Sequence, residues 1–437
     1  MIAPWMGHLN ASFHLAKSLR ARGHDVTYVT VPLHADHIRA QGFEPQIVFP
    51  DLPTRRDSSE SAGLASIRAD LRIYNDVTRR ILAGELDAVL SPRGMDVAVI
   101  DYQIAFLAMI TRRANVTTAI INTTLPSSRN QEIPPVGSSI IPDESRASRA
   151  SVRLAWRVFA AQRYATELVL RLAGMKNTPI GFTKKLACST GYPASEVDLG
   201  GELAIGPKLP QLVLCPRAFD FPRSGSSDQH VYCGPCIDTQ RADASFPWHE
   251  LPAGRPLVYC SFGSHVARNA ERGFRVGRLF RAVVELAARR PAFTFLVVTG
   301  RVVSAADFEA LPDNVVLIER APQLEVLARA SLVITHGGLN TLKECIYYAV
   351  PMIVIPFLHD QPGNAARVEY HGIGLRCQRR DVSADRLVEL VDRISGTPAF
   401  GERVSAMSAL FRELEDREAA TNHLEALLDA GARRRPP

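Results

Sequence analysis

The chain has 437 residues, 46% of them apolar, so it can bury enough core for two domains. Its formal net charge is +6 and its arginines are spread along the chain, which argues against a nucleic-acid-binding protein and against a polybasic membrane anchor. No run reaches the roughly 18 apolar residues of a membrane span, and no charged and then apolar leader opens the chain. We therefore expect a cytoplasmic protein with no nucleic-acid partner and no stable membrane insertion.

The seven cysteines, several of them at the ends of apolar runs, fit buried thiols in a reducing compartment. No metal-ligand spacing is found among the cysteines and histidines. Cys233-Gly234-Pro235-Cys236 has the pattern of a redox motif, which requires a strand before it and a helix after it. Polar residues typical of a linker follow instead, so we expect no redox role.

Strand and helix patterns alternate along the chain, which is typical of parallel sheets with crossover helices. A helix is predicted over residues 11–22, after a turn at Gly7-His8, and it ends at Gly23. Short apolar runs predict strands over residues 25–30, 97–100, 116–121, 257–260, 293–298, 315–318, 332–335 and 352–355. The pattern predicts an α/β fold with doubly wound sheets.

Residues 145–172 predict a long helix on which arginines recur along one side, at Arg146, Arg149, Arg153 and Arg157. A basic amphipathic helix of this kind can lie on a membrane surface. A surface helix with a solvated basic face is the more common arrangement, and we favour it here.

A polar, proline-rich stretch over residues 215–250 predicts a linker between two domains. The first domain would then comprise residues 1–214 and the second residues 251–412. Helical patterns continue into residues 413–437, whose last residues form a polar tail.

The clearest functional motif is His336-Gly337-Gly338, which lies between the strand at 332–335 and a predicted helix. Its glycines allow a sharp turn and a close approach of a ligand to the backbone. Such a turn directs free N–H groups and the positive end of the helix dipole at the ligand, which favours phosphate. The motif therefore predicts an anion site.

The residues after this turn extend the site beyond phosphate. Asn340 and Thr341 lie in the first helical turn, where their side chains can add hydrogen-bond donors. Glu344 follows on the same face, and a carboxylate suits ribose hydroxyls better than phosphate. Asp360-Gln361, in the next strand-to-helix loop, suits a polyhydroxylated group. Phosphate, ribose and sugar together predict a nucleotide-sugar site.

At this point the motifs resemble a known family. The set comprises Arg320-Ala321-Pro322-Gln323, His336 to Thr341, Glu344, Val350-Pro351, Pro356 and Asp360-Gln361. It resembles the donor-binding signature of family-one, UDP-sugar-dependent glycosyltransferases, and is most similar to bacterial members such as the zeaxanthin glucosyltransferases. The resemblance implies that Arg320, Ala321 and Gln323 also contact the donor, and that Ser264 adds a phosphate contact.

The resemblance also implies a catalytic pair. The Gly7-His8 turn is similar to the site of the family's catalytic histidine, and Asp101 matches the carboxylate that orients it. Without the donor signature, His8 would be read as a helix cap or a surface residue. Asp101 could equally cap a predicted helix over residues 104–114.

Two positions depart from the family pattern. Only three residues precede Pro4, whereas the family usually has a complete strand before this turn. Either the chain starts at an internal methionine or the first strand is shortened. Arg320 stands where plant relatives have a tryptophan over the uracil, although a planar guanidinium can also stack.

The resemblance implies a GT-B fold, in which two doubly wound, Rossmann-like domains face a central cleft. The first would bind the acceptor and the second the donor, and the segment 413–437 would return to the first. The implied enzyme is an inverting UDP-glycosyltransferase that moves a hexose, expected to be glucose, to a hydroxyl of a hydrophobic natural product such as a carotenoid, polyketide, macrolide or flavonoid. It would need no metal or other cofactor and would be a monomer or weak dimer.

Three alternatives remain at this point. A nucleotide-sugar epimerase shares the GT-B architecture and would act without an acceptor. A catalytically inactive partner protein could keep the donor fold, although the presence of both His8 and Asp101 argues against it. A dinucleotide oxidoreductase is disfavoured because no Gly-x-Gly-x-x-Gly motif follows a strand. If the acceptor is lipophilic, the protein could also be peripheral at a membrane.

Overall fold

The computed structural model describes residues 1–3, 5–52, 64–90, 95–126, 129, 131–197, 209–223, 230–241, 243, 246–252, 254–263, 266 and 276–432. The chain forms two compact units. The first comprises Met1–Pro135, Pro142–Asp238 and Glu415–Pro437, and the second comprises Val136–Ile141 and Thr239–Leu414. Within the described ranges, no helix combines the length and apolar content needed to cross a bilayer.

The strands are β1 (Tyr28–Thr30), β2 (Pro45–Ile47), β3 (Val97–Asp101), β4 (Thr117–Asn122), β5 (Gln211–Val213), β6 (His230–Tyr232), β7 (Leu257–Ser261), β8 (Thr294–Val298), β9 (Val315–Ile318), β10 (Ala330–Thr335), β11 (Met352–Val354) and β12 (Gly374–Arg376). The helices are α1 (Met6–Ala21), α2 (Ala35–Ala40), α3 (Leu64–Leu82), α4 (Asp87–Leu90), α5 (Ala108–Arg113), α6 (Arg146–Leu172), α7 (Pro179–Thr190), α8 (Val276–Arg289), α9 (Gln323–Leu327), α10 (Leu339–Tyr347), α11 (Gln361–Tyr370), α12 (Ala384–Ser395), α13 (Pro398–Asp416) and α14 (Ala419–Ala432).

The first unit is built on a parallel sheet with the strand order β3-β4-β5-β6, and β1 pairs separately with β2. Residues 1–3 lie beside β3, because the Met1 amino group donates to Val99 O (2.6 Å) and Asp101 N donates to Met1 O (2.9 Å). Helix α1 begins at Met6 rather than at residue 11, so His8 lies in its first turn and not in the loop before it.

Both faces of this sheet are covered, as expected when parallel strands are joined by helical crossovers. On β4, Ile120 packs with Ile100 in an apolar cluster that includes residues of α5 and α7. Its neighbours Ala119 and Ile121 point the other way, into a cluster with residues of α1 and α14. The alternation follows from the two-residue period of a strand.

Helix α6 agrees with the predicted helix over residues 145–172 and packs on this unit through one side. The Ser145 side chain caps it by accepting from Ser148 N at 3.0 Å. Val152 and Trp156 are buried, and Trp156 Nε1 donates to Ile133 O at 2.9 Å.

The predicted linker over residues 215–250 is wrong over its first half. Its polar, proline-rich composition conceals β6, which completes the first sheet, and the first unit extends to Asp238. The Cys-Gly-Pro-Cys segment ends in a residue with a left-handed backbone, Cys236 (φ 51°), and both of its cysteines are buried free thiols. Glu415 holds this bend, because its carboxylate accepts from Cys236 N (2.7 Å) and Ile237 N (2.6 Å).

The C-terminal helix α14 packs against α1 within the first unit. Ala420 and Leu424 are buried in the cluster that contains α1. At its edge, Arg22 Nη1 donates to Asn422 Oδ1 (2.8 Å) and to Glu425 Oε2 (2.7 Å). The apolar contacts supply most of the stabilisation, because partly exposed ion pairs contribute little.

The second unit is a six-stranded parallel sheet with the order β12-β11-β10-β7-β8-β9. The chain runs outward from β7 to β9 and then returns to β10 on the other side of β7, so the strand order reverses between β7 and β10. In open sheets of this kind the carboxyl ends of the strands beside such a switch point form a ligand crevice. Ser261 ends β7 and Thr335 ends β10 at this crevice.

The Glu415 contact generates a stability prediction. We expect Glu415→Ala to lower the free energy of unfolding by about 2–4 kcal/mol, because two backbone N–H groups lose a charged acceptor within a buried bend. Glu415→Gln keeps one carbonyl acceptor, so its free energy of unfolding should lie between those of the parent protein and Glu415→Ala. Urea unfolding followed by circular dichroism measures the change.

Glu402→Ala is the matched control, because Glu402 is exposed on the same helix, α13. It should change the free energy of unfolding by less than about 0.5 kcal/mol. Equal losses in Glu415→Ala and Glu402→Ala would contradict the proposed role of the carboxylate.

Candidate active site

His8 and Asp101 form a hydrogen-bonded pair in the first unit. His8 Nδ1 lies 2.8 Å from Asp101 Oδ2, and the side chains are 16% and 0% exposed. Helix α1 presents His8 from its first turn, and β3 ends at Asp101. The predicted contact is therefore present, and it joins groups 93 residues apart.

Asp101 both caps the helix that follows it and contacts His8, the two roles considered from the sequence. Its Oδ1 accepts from Gln103 N at 2.9 Å, which caps the 3₁₀ helix Tyr102–Leu107. Its Oδ2 faces the His8 ring. The cap fixes the rotamer of the carboxylate, so the second oxygen is held toward the imidazole.

Two neighbours of His8 were not singled out from the sequence. Thr123 Oγ1 lies 2.9 Å from His8 Nδ1, and the Tyr102 ring stacks on the imidazole with centroids 5.8 Å apart and planes at 12°. Asp101 ends β3 and Thr123 follows β4. These two strands are neighbours, so both polar side chains lie at the carboxyl ends of adjacent strands. That position in the sheet is the signal that could have identified Thr123.

The pair sets the tautomer of the imidazole. An ionised carboxylate only accepts hydrogen bonds, so Nδ1 of His8 donates to Asp101 and Nε2 keeps a lone pair. An imidazole held in this way can take up a proton at Nε2, and the nearby carboxylate stabilises the resulting cation. The arrangement is suited to a general base, His8, whose ring is oriented by the carboxylate of Asp101.

The second unit carries the turn His336-Gly337-Gly338, which was predicted from the sequence to bind the donor phosphate and is called the donor turn below. Gly338 is the N-cap of α10, and Gly337 has φ +85°, which disfavours any side chain. A Cβ at position 337 would lie 2.5 Å from Val354 Cγ1 of β11. The backbone therefore passes close to the neighbouring strand, and the first N–H groups of α10 lie at a helix N-terminus, where such groups can bind an anion.

His336 lies across the switch point of this sheet. A Cβ added to Gly263, just after β7, would be 2.6 Å from the His336 ring, and one added to Gly338 would be 2.7 Å from it. Only glycine at both positions leaves room for the ring between the ends of β7 and β10. Thr335 Oγ1 lies 3.4 Å from His336 Nδ1.

Glu344 is buried and already held by protein groups. Arg241 Nη1 donates to its Oε1 at 3.1 Å, and Gln323 Nε2 donates to its Oε2. Arg241 also pairs with Asp243 (3.2 Å). Burial opposes the charge of Arg241, but Glu344 and Asp243 together raise its pKa above the usual range. Sequence reasoning missed Arg241, because it lies about a hundred residues from Glu344 in a polar stretch.

The same network reaches the core of the sheet. Gln323 Nε2 also approaches Thr341 Oγ1 at 3.5 Å, and the Tyr259 hydroxyl donates to Gln323 Oε1 at 3.4 Å. Burial raises the pKa of Tyr259, so it stays a neutral donor. The structure thus brings together Gln323, Thr341 and Glu344, three of the residues that the sequence analysis assigned to donor binding.

Asp360 and Gln361, which were predicted from the sequence to bind a sugar, lie beside the turn at Gly337. Asn364, a buried residue of α11 that sequence reasoning missed, donates to Gly337 O (2.9 Å) and to Asp360 Oδ2 (2.8 Å). Gln361 Oε1 accepts from Phe357 N (2.8 Å) and Leu358 N (3.0 Å), so its carbonyl supports the loop. Only the Nε2 end of Gln361 remains to face a ligand.

The remaining residues that were predicted to contact the donor are Arg320, Ala321, Asn340 and Ser264. Arg320 is 88% exposed and faces the carboxylate of Glu319 at 3.6 Å, so it is not packed over a base site. Ala321 is half-buried beside it. Asn340 lies in the first turn of α10 as predicted. Ser264 lies outside the described residues.

No group of three or more histidine, cysteine or acidic side chains that could hold a metal ion occurs in the described part of the chain. At the turn before α10, the N-terminus of the helix carries partial positive charge. Its side chains Asn340 and Thr341 are neutral.

Comparison with known proteins agrees with this architecture. A family described as Erythromycin biosynthesis protein CIII-like, C-terminal domain, matches residues 294–413. NDP-glycosyltransferase YjiC of Bacillus licheniformis is 30% identical over 221 residues, which are 50% of this chain and 53% of that relative, so the match spans about half of its length. Demethyllactenocin mycarosyltransferase of Streptomyces fradiae is 25% identical over 448 residues, covering 99% of this chain and 86% of the relative.

A solved structure matches nearly the whole chain. The crystal structure of the glycotransferase of kitacinnamycin is 26% identical, covers 97% of this chain and 96% of its own, and has a TM-score of 0.65. The family match contains β10, α10 and α11, which carry the donor turn. The chain therefore has the GT-B fold and is similar over nearly its whole length to natural-product glycosyltransferases.

Proposed function

We propose that this protein is an inverting glycosyltransferase that transfers a hexose, glucose in the first instance, from a UDP-sugar to a hydroxyl of a hydrophobic small molecule. The observation that carries the proposal is the His8–Asp101 pair, because a donor fold without a base would only bind. Similarity to natural-product glycosyltransferases over nearly the whole chain supports sugar transfer to a small molecule.

The acceptor is activated in the first unit. His8 Nε2 removes the proton of an acceptor hydroxyl, and the freed oxygen attacks the anomeric carbon from the side opposite the leaving group. Asp101 keeps Nδ1 as the donor and stabilises the imidazolium, a contribution typically of 10²–10⁴ in rate. A single displacement of this kind inverts the anomeric centre.

The leaving group is stabilised in the second unit. As the sugar–phosphate bond breaks, negative charge grows on the β-phosphate of the nucleotide. Outward N–H groups at the start of α10, with the side chains of His336, Asn340 and Thr341, offer donors to this charge. We propose that this site replaces a divalent metal.

The pentose is read by Glu344. Each carboxylate oxygen has two lone pairs, so Glu344 can accept from a ribose hydroxyl while Arg241 and Gln323 hold it in place. A ribose with both hydroxyls should therefore be preferred to a deoxyribose. On this basis we propose a uridine rather than a thymidine donor, with Asp360 and the Gln361 amide binding the sugar.

The first prediction concerns the 2′-hydroxyl. UDP-glucose should bind roughly 10–100-fold more tightly than its 2′-deoxy analogue dUDP-glucose, because a hydrogen bond to a charged acceptor is lost. Glu344→Ala should narrow that difference, whereas Glu325→Ala, an exposed position on the preceding helix α9, should leave it unchanged. Isothermal titration calorimetry measures the affinities for both ligands in the parent protein and in the two variants.

Adding dTDP-glucose separates the pentose from the base, since it differs from dUDP-glucose only by a methyl group. Equal affinities for UDP-glucose and dUDP-glucose in the parent protein would refute the assignment of Glu344.

The second prediction concerns metal. Glycosyl transfer should proceed at the same rate in chelator and in added magnesium or manganese, because the helix terminus supplies the stabilising charge. Thr341→Val removes one side-chain donor and should lower turnover equally in both conditions. Loss of activity in chelator that magnesium or manganese restores would overturn this proposal.

The third prediction treats His8 and Asp101 as one unit. Asp101→Ala should lower turnover by roughly 10²–10⁴-fold with an aliphatic alcohol acceptor, and His8→Ala at least as much. The double variant should be scarcely worse than His8→Ala, because the carboxylate acts through the ring. Single-turnover kinetics with mass-spectrometric detection of product measures the cycle.

Asp101→Asn is the matched control, because its amide oxygen can still cap Gln103 N while the charge is lost. It should resemble Asp101→Ala in turnover but not in thermal stability. A phenolic acceptor, which needs less base assistance, should reduce every loss. Additive losses with the alcohol, or parent-like turnover by His8→Ala, would show that the proton leaves by another route. Turnover of UDP-glucose without an acceptor would indicate an epimerase.

A further inference from the structure

Helix α6 carries an apolar surface that faces solvent. Eight large apolar side chains in the described part of the chain are exposed, and six of them lie on this one helix. These six are between 46% and 80% exposed: Leu154, Val158, Tyr164, Leu168, Val169 and Leu172. Isolated exposed leucines are ordinary, but this density on one element marks a contact surface.

The side chains form a continuous stripe. Leu154, Val158, Leu168 and Leu172 recur at helical spacing, and the exposed alanines Ala161 and Ala165 fill the turns between them. The stripe lies opposite Val152 and Trp156, which anchor the helix to its own unit. One side of α6 therefore packs on the first unit, and the opposite side is an apolar surface that is exposed to solvent in the part of the chain that the structure describes.

The stripe is roughly 27 Å long, because Leu154 and Leu172 are 18 residues apart at 1.5 Å per residue. Its successive positions are four, three, four, three and four residues apart, a spacing shared by the apolar face of a surface helix and the seam of a coiled coil. The spacing therefore fits a partner helix as well as a flat surface, and charge decides between them.

Charge narrows the choice of partner. The helix has six arginines and one glutamate, a net charge of +5. Glu167 is turned inward, where Ile180 N donates to it at 3.3 Å. Arg146, Arg153 and Arg157 are exposed along one edge of the stripe, and among the described residues none of them has a carboxylate partner.

A second copy of this chain fits poorly. Antiparallel pairing of two α6 helices through the stripe would bring two arginine edges together, and in either orientation the arginines of one helix would meet no exposed carboxylate on the other. An anionic lipid surface fits both features. The apolar stripe can enter the boundary between headgroups and acyl chains, and arginines at its edge can reach the phosphates.

We propose that α6 docks the protein, lying parallel to the surface, on membranes that contain anionic lipid. The solvated-face interpretation of this helix from sequence is thereby incomplete, because its exposed side is apolar as well as basic. The inference rests on a surface of the first unit and does not depend on the proposed reaction.

Sedimentation with lipid vesicles tests the proposal. The parent protein should bind phosphatidylcholine vesicles containing phosphatidylglycerol, bind pure phosphatidylcholine weakly, and be released by salt. Leu168→Ser with Leu172→Ser should lower the partition coefficient at least tenfold. Arg153→Gln with Arg157→Gln should lower it roughly 30-fold on the anionic vesicles.

Matched controls separate this surface from general hydrophobicity and charge. Leu33→Ser removes an exposed leucine elsewhere in the first unit, and Arg278→Gln with Arg393→Gln removes the same charge from exposed positions of the second unit. Both controls should bind vesicles like the parent. Thermal unfolding should be unchanged in every variant, because all the altered side chains are exposed.

Several outcomes would overturn the proposal. The first is absence of binding to anionic vesicles, and the second is equal binding to neutral and anionic ones. A third is a parent protein that is dimeric by light scattering and becomes monomeric in the Leu168→Ser and Leu172→Ser variant without vesicle binding, which would assign the stripe to a second copy. Equal losses in the controls would show that binding is not specific to α6.

Discussion

Parallel strand pairing is the constraint on which both functional regions of this protein depend. It brings the carboxyl ends of neighbouring strands to one edge of a sheet, where backbone groups and helix N-termini remain available. Asp101 ends β3 and Thr123 follows β4, so two distant segments meet at His8. His336 follows β10 and meets Gly263 after β7 by the same rule.

Close packing then decides which residue types these edges tolerate. The His336 ring fills the space that a Cβ of Gly263 or Gly338 would occupy, and Gly337 is confined by Val354. Glycine is needed at these positions for its lack of a side chain as well as for its backbone freedom. It lets a strand end, a histidine ring and a helix N-terminus approach within van der Waals distance, a geometry in which backbone N–H groups can bind an anion. Asn364 extends this arrangement by bonding both the turn and Asp360.

The sequence was most informative where the physical signal is local. Apolar runs located β7 to β11 within about two residues, and the glycine turn located the start of α10. Strands of three residues, such as β6 and β12, have too few positions for a periodic signal and are recognised only by their pairing. The linker prediction failed for that reason, since the prolines around β6 dominate its composition.

Partners distant in sequence were beyond local reasoning. Thr123, Arg241 and Asn364 carry no motif of their own, and each matters only because the fold brings it to a group that does. The apolar side of α6 was similarly concealed. The sequence analysis considered only its arginines, whereas the exposure of its leucines shows that the apolar side facing solvent is not the side that is packed.

Glu344 shows why the two kinds of information must be combined. Its place one turn into α10 indicates a ligand carboxylate, but burial alone would disfavour its charge. Arg241 offsets that cost, and Arg241 is itself tolerated in the interior because Glu344 and Asp243 flank it. Removing either partner would leave a buried charge uncompensated. The Glu344 carboxylate is therefore held in place by Arg241 and Gln323, so the geometry that the proposed pentose site offers depends on a residue about a hundred positions away in the sequence.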